Sequence, residues 1–200
     1  MLTIRHAAAA AAVAAALVAG TASAGVQDDV FSVHNLVADS ADASLVNGWG
    51  LSAGPTTPWG VSNNGSNTST LYNGSGAKQA LTVSVAGAPT GTVFNGSATD
   101  FVVSQNGKSG AARFLFATEG GQILGWSPAV NGTVAIPGVD SSAQGAVYKG
   151  LTTTAERLYA TDFHNGRVDV FDTSFAAAPV PSPRPDLPQG RAPVRPPRSG

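Results

Sequence analysis

The chain has 200 residues, of which 11 are Lys or Arg, 12 are Asp or Glu and none is Cys. The lack of Cys excludes a disulfide framework and thiolate zinc sites. Between residues 25 and 175 we count 6 basic and 11 acidic side chains, and so a net charge of −5, which argues against a nucleic-acid-binding surface.

The N-terminal segment has the three parts of a secretory signal peptide. Arg5 gives it a cationic start, an apolar run covers 7–18, and Ala22 and Ala24 are small residues at the −3 and −1 positions. The apolar run is too short to remain in a bilayer as a spanning helix. We therefore predict a signal helix over 1–24, cleavage after Ala24, and a periplasmic or extracellular location.

The middle of the chain, 25–175, has the pattern of many short strands. Short apolar runs are separated by Asn-Gly, Gly-Ser and Pro, and helical periodicity is absent. A unit of three strands occurs three times, and its first strand contains Gly50, Gly91 or Gly150. The longer interval, between the second and third of these glycines, includes a Gly/Ser/Lys loop over 104–110.

The remaining strands of the unit follow the same order in each copy. Second strands are predicted over 59–63, 115–119 and 158–162, and third strands over 69–72, 122–126 and 167–171. A period of about 40–50 residues with three or four strands is typical of β-propeller blades. We predict an all-β fold, a partial propeller of about three antiparallel blades, with a β-sandwich as the alternative.

Aromatic residues recur in these strands and are predicted to form the core between blades. An aromatic platform that binds sugars is the alternative. The residues concerned are Trp49, Trp59, Tyr72, Phe116, Trp126, Tyr159 and Phe171.

The last 25 residues differ in composition from the rest. Residues 176–200 hold 8 of the 13 prolines and four Arg, with one acidic residue, Asp186. Proline at this density removes backbone donors and keeps the chain extended. We predict a disordered Pro/Arg-rich tail over 176–200, either a basic arm for an anionic surface or a segment that follows a broken repeat.

The run 158–172 resembles an NHL-type propeller repeat. The runs 45–51, 69–74, 116–121 and 160–166 are similar to a family of secreted bacterial proteins, some of which carry a C-terminal sorting anchor of the PEP type. The similarity covers about residues 34–175. It implies a propeller and export, and it supplies no catalytic residues. Because members of the family continue for further blades, the chain is expected to be an N-terminal fragment.

One polar residue closes the second strand of each copy: Asn63, Glu119 or Asp162. Equivalent positions converge around a propeller axis, so three oxygen ligands there suit Ca²⁺, as in propeller lactonases. The alternative is local, since a short polar side chain accepts backbone N–H groups of the following turn. We predict the local role, and therefore no metal, cofactor or catalytic residue.

The sequence offers few other residues for catalysis. His164 lies beside Asp162 in a turn, but the other exported histidine, His34, is far away in sequence. We therefore predict an exported, non-enzymatic propeller module that binds an extracytoplasmic protein or polymer. A metal-dependent hydrolase of lactonase type is the alternative.

An array of three blades leaves an apolar face at each end. We expect Trp49 and Trp59 to be exposed at the first end, and Tyr159 and Phe171 at the last. Exposed faces of this kind favour self-association.

Overall fold

The computed structural model describes residues 32–180. The predicted signal peptide, 1–24, and residues 181–200 of the predicted tail lie outside the described residues. The chain divides into two units, 1–34 and 35–200. In the first unit the described residues, 32–34, are exposed. The strands belong to the second unit, within 35–180.

The described part of the chain consists of antiparallel strands, and its helical content is two short 3₁₀ turns, Asn64–Ser66 and Ser142–Gln144. This confirms the predicted all-β class. The strands are β1 (Gly48–Ser52), β2 (Trp59–Asn63), β3 (Thr68–Tyr72), β4 (Lys78–Ser84), β5 (Pro89–Phe94), β6 (Val102–Gln105), β7 (Lys108–Ala111), β8 (Phe114–Thr118), β9 (Gln122–Trp126), β10 (Ile136–Asp140), β11 (Tyr148–Thr153), β12 (Arg157–Asp162) and β13 (Arg167–Asp172).

These strands form three successive sheets and one separate hairpin. Sheet 1 has the order β1-β2-β3-β4, sheet 2 the order β5-β8-β9-β10, and sheet 3 the order β11-β12-β13. The hairpin pairs β6 with β7 and lies, in sequence, between the first two strands of sheet 2. It replaces the loop expected over 104–110, where Asn106 and Gly107 both have positive φ and make the turn.

The first strands of the three sheets lie side by side, and each carries the same irregularity. Their pairing with the second strand shifts register between Gly48 and Leu51, between Pro89 and Thr92, and between Tyr148 and Leu151. A β-bulge of this kind bends the strand and adds local twist. The repeat glycines Gly50, Gly91 and Gly150 all lie within these bulges.

Two of the repeat glycines are required because neighbouring backbones approach closely. A β-carbon built on Gly50 would lie 2.5 Å from the Thr90 carbonyl oxygen, in the first strand of sheet 2. A β-carbon on Gly91 would lie 2.6 Å from the Leu151 nitrogen, in the first strand of sheet 3. Neither glycine has positive φ, so space rather than backbone conformation demands glycine here.

Sheet 2 is buried on both faces because the other two sheets pack against it. Phe114 and Phe116 of β8 join one cluster with Val83 of sheet 1. The alternate residues, Leu115 and Ala117, join a second cluster, whose members from sheet 3 include Leu158. Since successive side chains of a strand point to opposite faces, β8 supplies both cores.

The outward face of sheet 1, which points away from sheet 2, is covered by the segment that precedes it. We call residues 35–46 the cap segment. The Gly65 N–H donates to the Val46 carbonyl over 3.0 Å, and the Ser66 hydroxyl donates to the Ser44 carbonyl over 2.7 Å. The expectation of an apolar face at the first end is therefore wrong in part: the cap segment covers Tyr72, but Trp49 and Trp59 are exposed as predicted.

The described start of the predicted tail lies along β13. The Asp172 N–H donates to the Ala176 carbonyl, and the Ala178 N–H donates to the Val170 carbonyl, over 2.8 Å each. Phe175 packs edge-on against Phe101 at a centroid distance of 5.4 Å. The repeat therefore extends through 178, and the disorder predicted for 181–200 stays a prediction.

The aromatics divide into two groups. Phe116 and Phe171 are buried between sheets, as predicted. Tyr72 is buried beneath the cap segment instead, and Trp49 and Trp59 are 46% and 47% exposed. Both tryptophans lie in the first two strands of sheet 1. The prediction that Phe171 is exposed at the last end is wrong, because its ring belongs to the core between sheets 2 and 3.

Candidate functional site

The strand register corrects the predicted equivalence of the three polar residues. Gly48 pairs with Asn63, Pro89 with Thr118, and Tyr148 with Asp162, each immediately before the bulge. The residue of sheet 2 that matches Asn63 and Asp162 is therefore Thr118, and Glu119 lies one position further along. Asn63, Thr118 and Asp162 are all buried, at 0%, 0% and 1% exposure.

Two of these equivalent residues close the turn that follows them. The Thr118 hydroxyl donates to the Gln122 carbonyl and accepts from the Gln122 N–H, over 3.0 and 3.1 Å. Asp162 accepts from the backbone N–H of Asn165 and of Val147, over 3.3 and 3.1 Å. Burial opposes ionisation of Asp162, but hydrogen bonds from the Asn165 side chain (2.6 Å) and from these two N–H groups, with the charge of Arg167, outweigh it and lower its pKa.

Asn63 has a different role, because it begins a buried chain of hydrogen bonds on the outward face of sheet 1. Its amide nitrogen donates to the Thr70 hydroxyl (2.9 Å), which donates to the Tyr72 hydroxyl (3.0 Å). Tyr72 in turn donates to the Asp42 carboxylate over 2.6 Å. The chain thus ties sheet 1 to the cap segment.

Asp42 is the charged end of this chain and is 8% exposed. The ammonium group of Lys78 lies 2.8 Å from its carboxylate. Burial alone would raise the pKa of Asp42, but the hydrogen bonds from Lys78, Tyr72 and the Ser44 backbone lower it to about 2. The carboxylate is therefore ionised at neutral pH and serves to hold the cap segment.

The three residues predicted as a candidate Ca²⁺ site do not converge. Asn63 lies on the face of sheet 1 that points away from sheet 2, whereas Asp162 lies on the face of sheet 3 that points toward sheet 2. Neighbouring sheets pack about 10 Å apart, so these side chains lie in separate layers. Among residues 32–180, no group of three His, Cys, Asp or Glu side chains is placed to hold a metal ion. His164 is exposed in the turn after β12.

Glu119 instead belongs to a polar cluster in which all three sheets meet. We call it the junction cluster, and its members are Asn47, Trp49, Asn64, Glu119 and Lys149. The Glu119 carboxylate pairs with the ammonium group of Lys149, which lies 4.7 Å from the centroid of the Trp49 ring. The Asn64 amide donates to Glu119 over 3.2 Å, and the Asn47 amide donates to Asn64 over 3.0 Å.

The charges of the junction cluster are balanced and partly open to solvent. The side chains of Lys149 and Glu119 are 27% and 34% exposed. Hydrogen bonds from Lys149 and Asn64 lower the pKa of Glu119. A carboxylate held as an anion by a lysine is a hydrogen-bond acceptor rather than a proton donor, so this arrangement suits binding better than acid catalysis.

The sequence did not point to Lys149, and it predicted Trp49 as a core residue rather than as part of the junction cluster. Both occupy the residue before the repeat glycine of their strand, Gly150 and Gly50. That shared position was the available signal, because side chains next to a shared bulge are brought to the same edge of neighbouring sheets.

Comparison with known proteins finds three related sequences, all uncharacterized proteins of Acanthamoeba polyphaga mimivirus. One is 30% identical over 46% of this chain, the second 29% identical over 73%, and the third 25% identical over 67%. The chain spans 17%, 41% and 35% of their respective lengths. No family model matches the chain. The predicted membership of a bacterial NHL-type family is therefore wrong, since these relatives are viral.

Among solved structures, a catalytically inactive virginiamycin B lyase from Staphylococcus aureus, crystallised with quinupristin, shares 13% sequence identity. The similarity covers 64% of this chain and 39% of that chain, with a TM-score of 0.47. Within 32–180, no helix has the length and apolar character that crossing a membrane requires.

Proposed function

We propose that the three sheets are successive blades of a β-propeller. Each sheet begins with a strand that lies beside the first strands of its neighbours, and Gly50 and Gly91 allow the close approach. Each sheet also packs face to face on the next, with apolar clusters in both gaps. Radial stacking of antiparallel meanders in this order is the arrangement of a propeller.

We further propose that this module is exported and binds a polymer or protein outside the cytoplasm, with the junction cluster as its binding site. The single observation that carries the proposal is that Trp49, a residue 46% exposed, lies among polar side chains. A large apolar ring next to hydrogen-bonding groups is the composition of ligand sites rather than of a blade core.

The chemistry of the cluster favours a neutral polysaccharide. The indole of Trp49 offers an apolar face for the C–H groups of a sugar ring. Glu119 accepts hydrogen bonds from hydroxyl groups, and the amides of Asn47 and Asn64 both donate and accept. Because Lys149 neutralises Glu119, the site carries no net charge that would select a charged polymer.

Binding to insoluble polysaccharides tests this proposal. We expect the full chain to bind cellulose or chitin, and Trp49→Ala to lower the association constant at least tenfold. Trp59→Ala is the matched control, because Trp59 is exposed to the same degree, at 47%. Equal binding by Trp49→Ala and wild type, or no binding to either polymer, would reject the site.

Export is tested separately. We propose removal of the signal peptide between Ala24 and Gly25, so mass spectrometry of exported protein should show an N-terminus at Gly25. Exported protein that begins at Met1 would contradict this. The lactonase-type alternative gains no support from the positions of Asn63, Glu119 and Asp162, and we do not propose it.

A further inference from the structure

The turn after the second strand of sheet 3 carries an aromatic residue, Phe163, that is 76% exposed. Phe163 is the register equivalent of Asn64 and Glu119, because each directly follows the buried polar residue at the end of its second strand. All three also make the same backbone hydrogen bond. The N–H of each donates to the carbonyl of the residue that precedes the first strand of its sheet, over 3.1, 3.1 and 2.9 Å. Two of the three equivalent residues are thus members of the junction cluster.

The three turns lie at the same end of the stack. Gly50 lies against Gly91, and Gly91 lies against Gly150, so the three first strands run side by side in register. The start of each first strand is paired with the end of its second strand. The turns that follow the second strands are therefore neighbours, and Phe163 belongs to the surface that carries the junction cluster.

The backbone that carries Phe163 is held in place on both sides. Asp162 before it is buried and accepts a hydrogen bond from the Asn165 amide over 2.6 Å. The same amide group donates to the carbonyl of Gln144, in the loop between β10 and β11, over 3.4 Å. An exposed ring on an ordered backbone binds a ligand with little further loss of conformational entropy.

Position, rather than exposure alone, distinguishes Phe163. Single exposed apolar side chains are common on protein surfaces. At the equivalent position, however, sheets 1 and 2 carry polar residues that contact each other, since the Asn64 amide donates to Glu119 over 3.2 Å. Sheet 3 has an aromatic ring there, and no other aromatic ring within 32–180 is as exposed.

From this placement we infer that Phe163 forms a second aromatic subsite, and that the ligand is a polysaccharide segment of several sugar units. The inference rests on the proposed binding of a neutral polysaccharide at Trp49. Trp49 belongs to sheet 1 and Phe163 to sheet 3, with Glu119 of sheet 2 between them in the stack. Neighbouring sheets pack about 10 Å apart, which is longer than one sugar ring.

Two aromatic subsites make affinity depend on the length of the ligand. A short oligosaccharide can stack its C–H groups on only one ring, whereas a longer one reaches both. The second contact is then made within a complex that already exists, so it adds affinity without a second loss of translational freedom. Glu119 and the two asparagine amides provide hydrogen bonds for hydroxyl groups between the rings.

Titration calorimetry of the full chain with soluble cello-oligosaccharides and chito-oligosaccharides tests the subsite. We expect wild type to bind a hexasaccharide about tenfold or more tightly than the matching disaccharide. Phe163→Ala should remove this gain and leave the affinity for the disaccharide unchanged. Trp49→Ala should lower the affinity for both lengths.

Further variants separate ring stacking from general effects. Phe163→Tyr keeps a flat ring and should keep the gain, whereas Phe163→Leu is apolar but not flat and should lose it. Val168→Ala is the matched control, because Val168 is an exposed apolar residue of the same sheet, at 41%, but lies outside the turn. It should bind both lengths like wild type.

Two kinds of failure can be told apart. If wild type binds both lengths equally, or if Phe163→Ala keeps the wild-type gain, the second subsite is overturned while the site at Trp49 stands. An equal loss of affinity for both lengths in Phe163→Ala would also overturn it, since the ring would then act on the whole site. Failure of wild type to bind either length would reject the proposed polysaccharide site and the second subsite with it.

Discussion

The two ends of the sheet stack are treated in opposite ways. At the first end, the cap segment covers the outward face of sheet 1, and a chain of hydrogen bonds from Asn63 to Asp42 is buried beneath it. At the other end, Thr161 and Val168 of sheet 3 remain exposed. Every sheet has a face that suits a neighbour, but among residues 32–180 only the first end has a segment that takes the place of that neighbour.

The difference shows how side-chain hydrogen bonds can satisfy the outward face of a terminal sheet in a repeat array. A terminal sheet must satisfy its outward groups without an apolar partner. In sheet 1 the Thr70 hydroxyl donates to Tyr72, and the Tyr72 hydroxyl donates to the Asp42 carboxylate of the cap segment. Sheet 3 retains a glycine and small side chains that suit another sheet. Positions inside the stack and positions at its two ends should therefore respond differently to substitution.

The largest loss of unfolding free energy is expected for substitutions at the glycines that lie where two sheets meet. Gly91→Ala should lower the free energy of unfolding by about 2–3 kcal/mol, because its β-carbon would meet fixed backbone at Leu151. Gly150→Ala should lower that free energy by less than about 1 kcal/mol, because the three atoms nearest its β-carbon belong to the Thr161 side chain and not to a neighbouring backbone. Urea denaturation of dilute protein measures both. Equal losses would show that the bulge, and not the neighbouring sheet, requires glycine.

The capped end should be sensitive to acid through Asp42. Its pKa is about 2, compared with an ordinary value of 3.8. A lowered carboxyl pKa stabilises the folded state above the ordinary pKa, and this contribution is lost as pH falls through the folded pKa. Asp42→Asn should therefore cost about 2 kcal/mol at pH 7, and the difference from wild type should shrink between pH 4 and pH 2.

Asp39→Asn is the control for this experiment, because Asp39 is an exposed acidic residue of the same cap segment. At pH 7 its unfolding free energy should differ from that of wild type by less than about 0.5 kcal/mol. A pH-independent difference between wild type and Asp42→Asn would show that Asp42 stabilises through shape and not through charge.

The sequence revealed the sheets because the strands, turns and repeat glycines recur at recognisable spacing. It did not reveal the register to within one residue. Thr118 and Glu119 are adjacent and both polar, so either suits the end of β8, and the bulge that distinguishes them depends on long-range pairing. The cap segment has no strand period, and the contact between Asp42 and Tyr72 spans 30 positions. Such a contact leaves no local pattern.

A smaller loss of unfolding free energy is expected at Asn63 and Asp162. These residues are equivalent in strand register but lie in sheets 1 and 3, at opposite ends of the stack. Asp162→Ala in sheet 3 should lower the unfolding free energy by about 1–2 kcal/mol, since the Val147 and Asn165 N–H groups lose their acceptor. It should leave the cap segment protected from amide exchange. Asn63→Ala should instead speed exchange in the cap segment, because it removes the first donor of the buried chain. The same exchange pattern in both variants would contradict the division of roles.

The smallest effect on stability is expected in the junction cluster, between the two ends. Glu119→Gln should lower the unfolding free energy by less than about 0.5 kcal/mol, because the pair with Lys149 is about one-third exposed on each side and is screened by solvent. The same variant should shift Trp49 fluorescence, since Lys149 would lose the partner that helps to hold it over the indole ring. Trp126, packed against Phe114, and Trp59 lie outside the junction cluster, so Trp49→Phe should abolish the shift and identify its source. A stability loss above about 1 kcal/mol would mean that the cluster holds the sheets together, and the case for a binding surface at Trp49 would weaken accordingly.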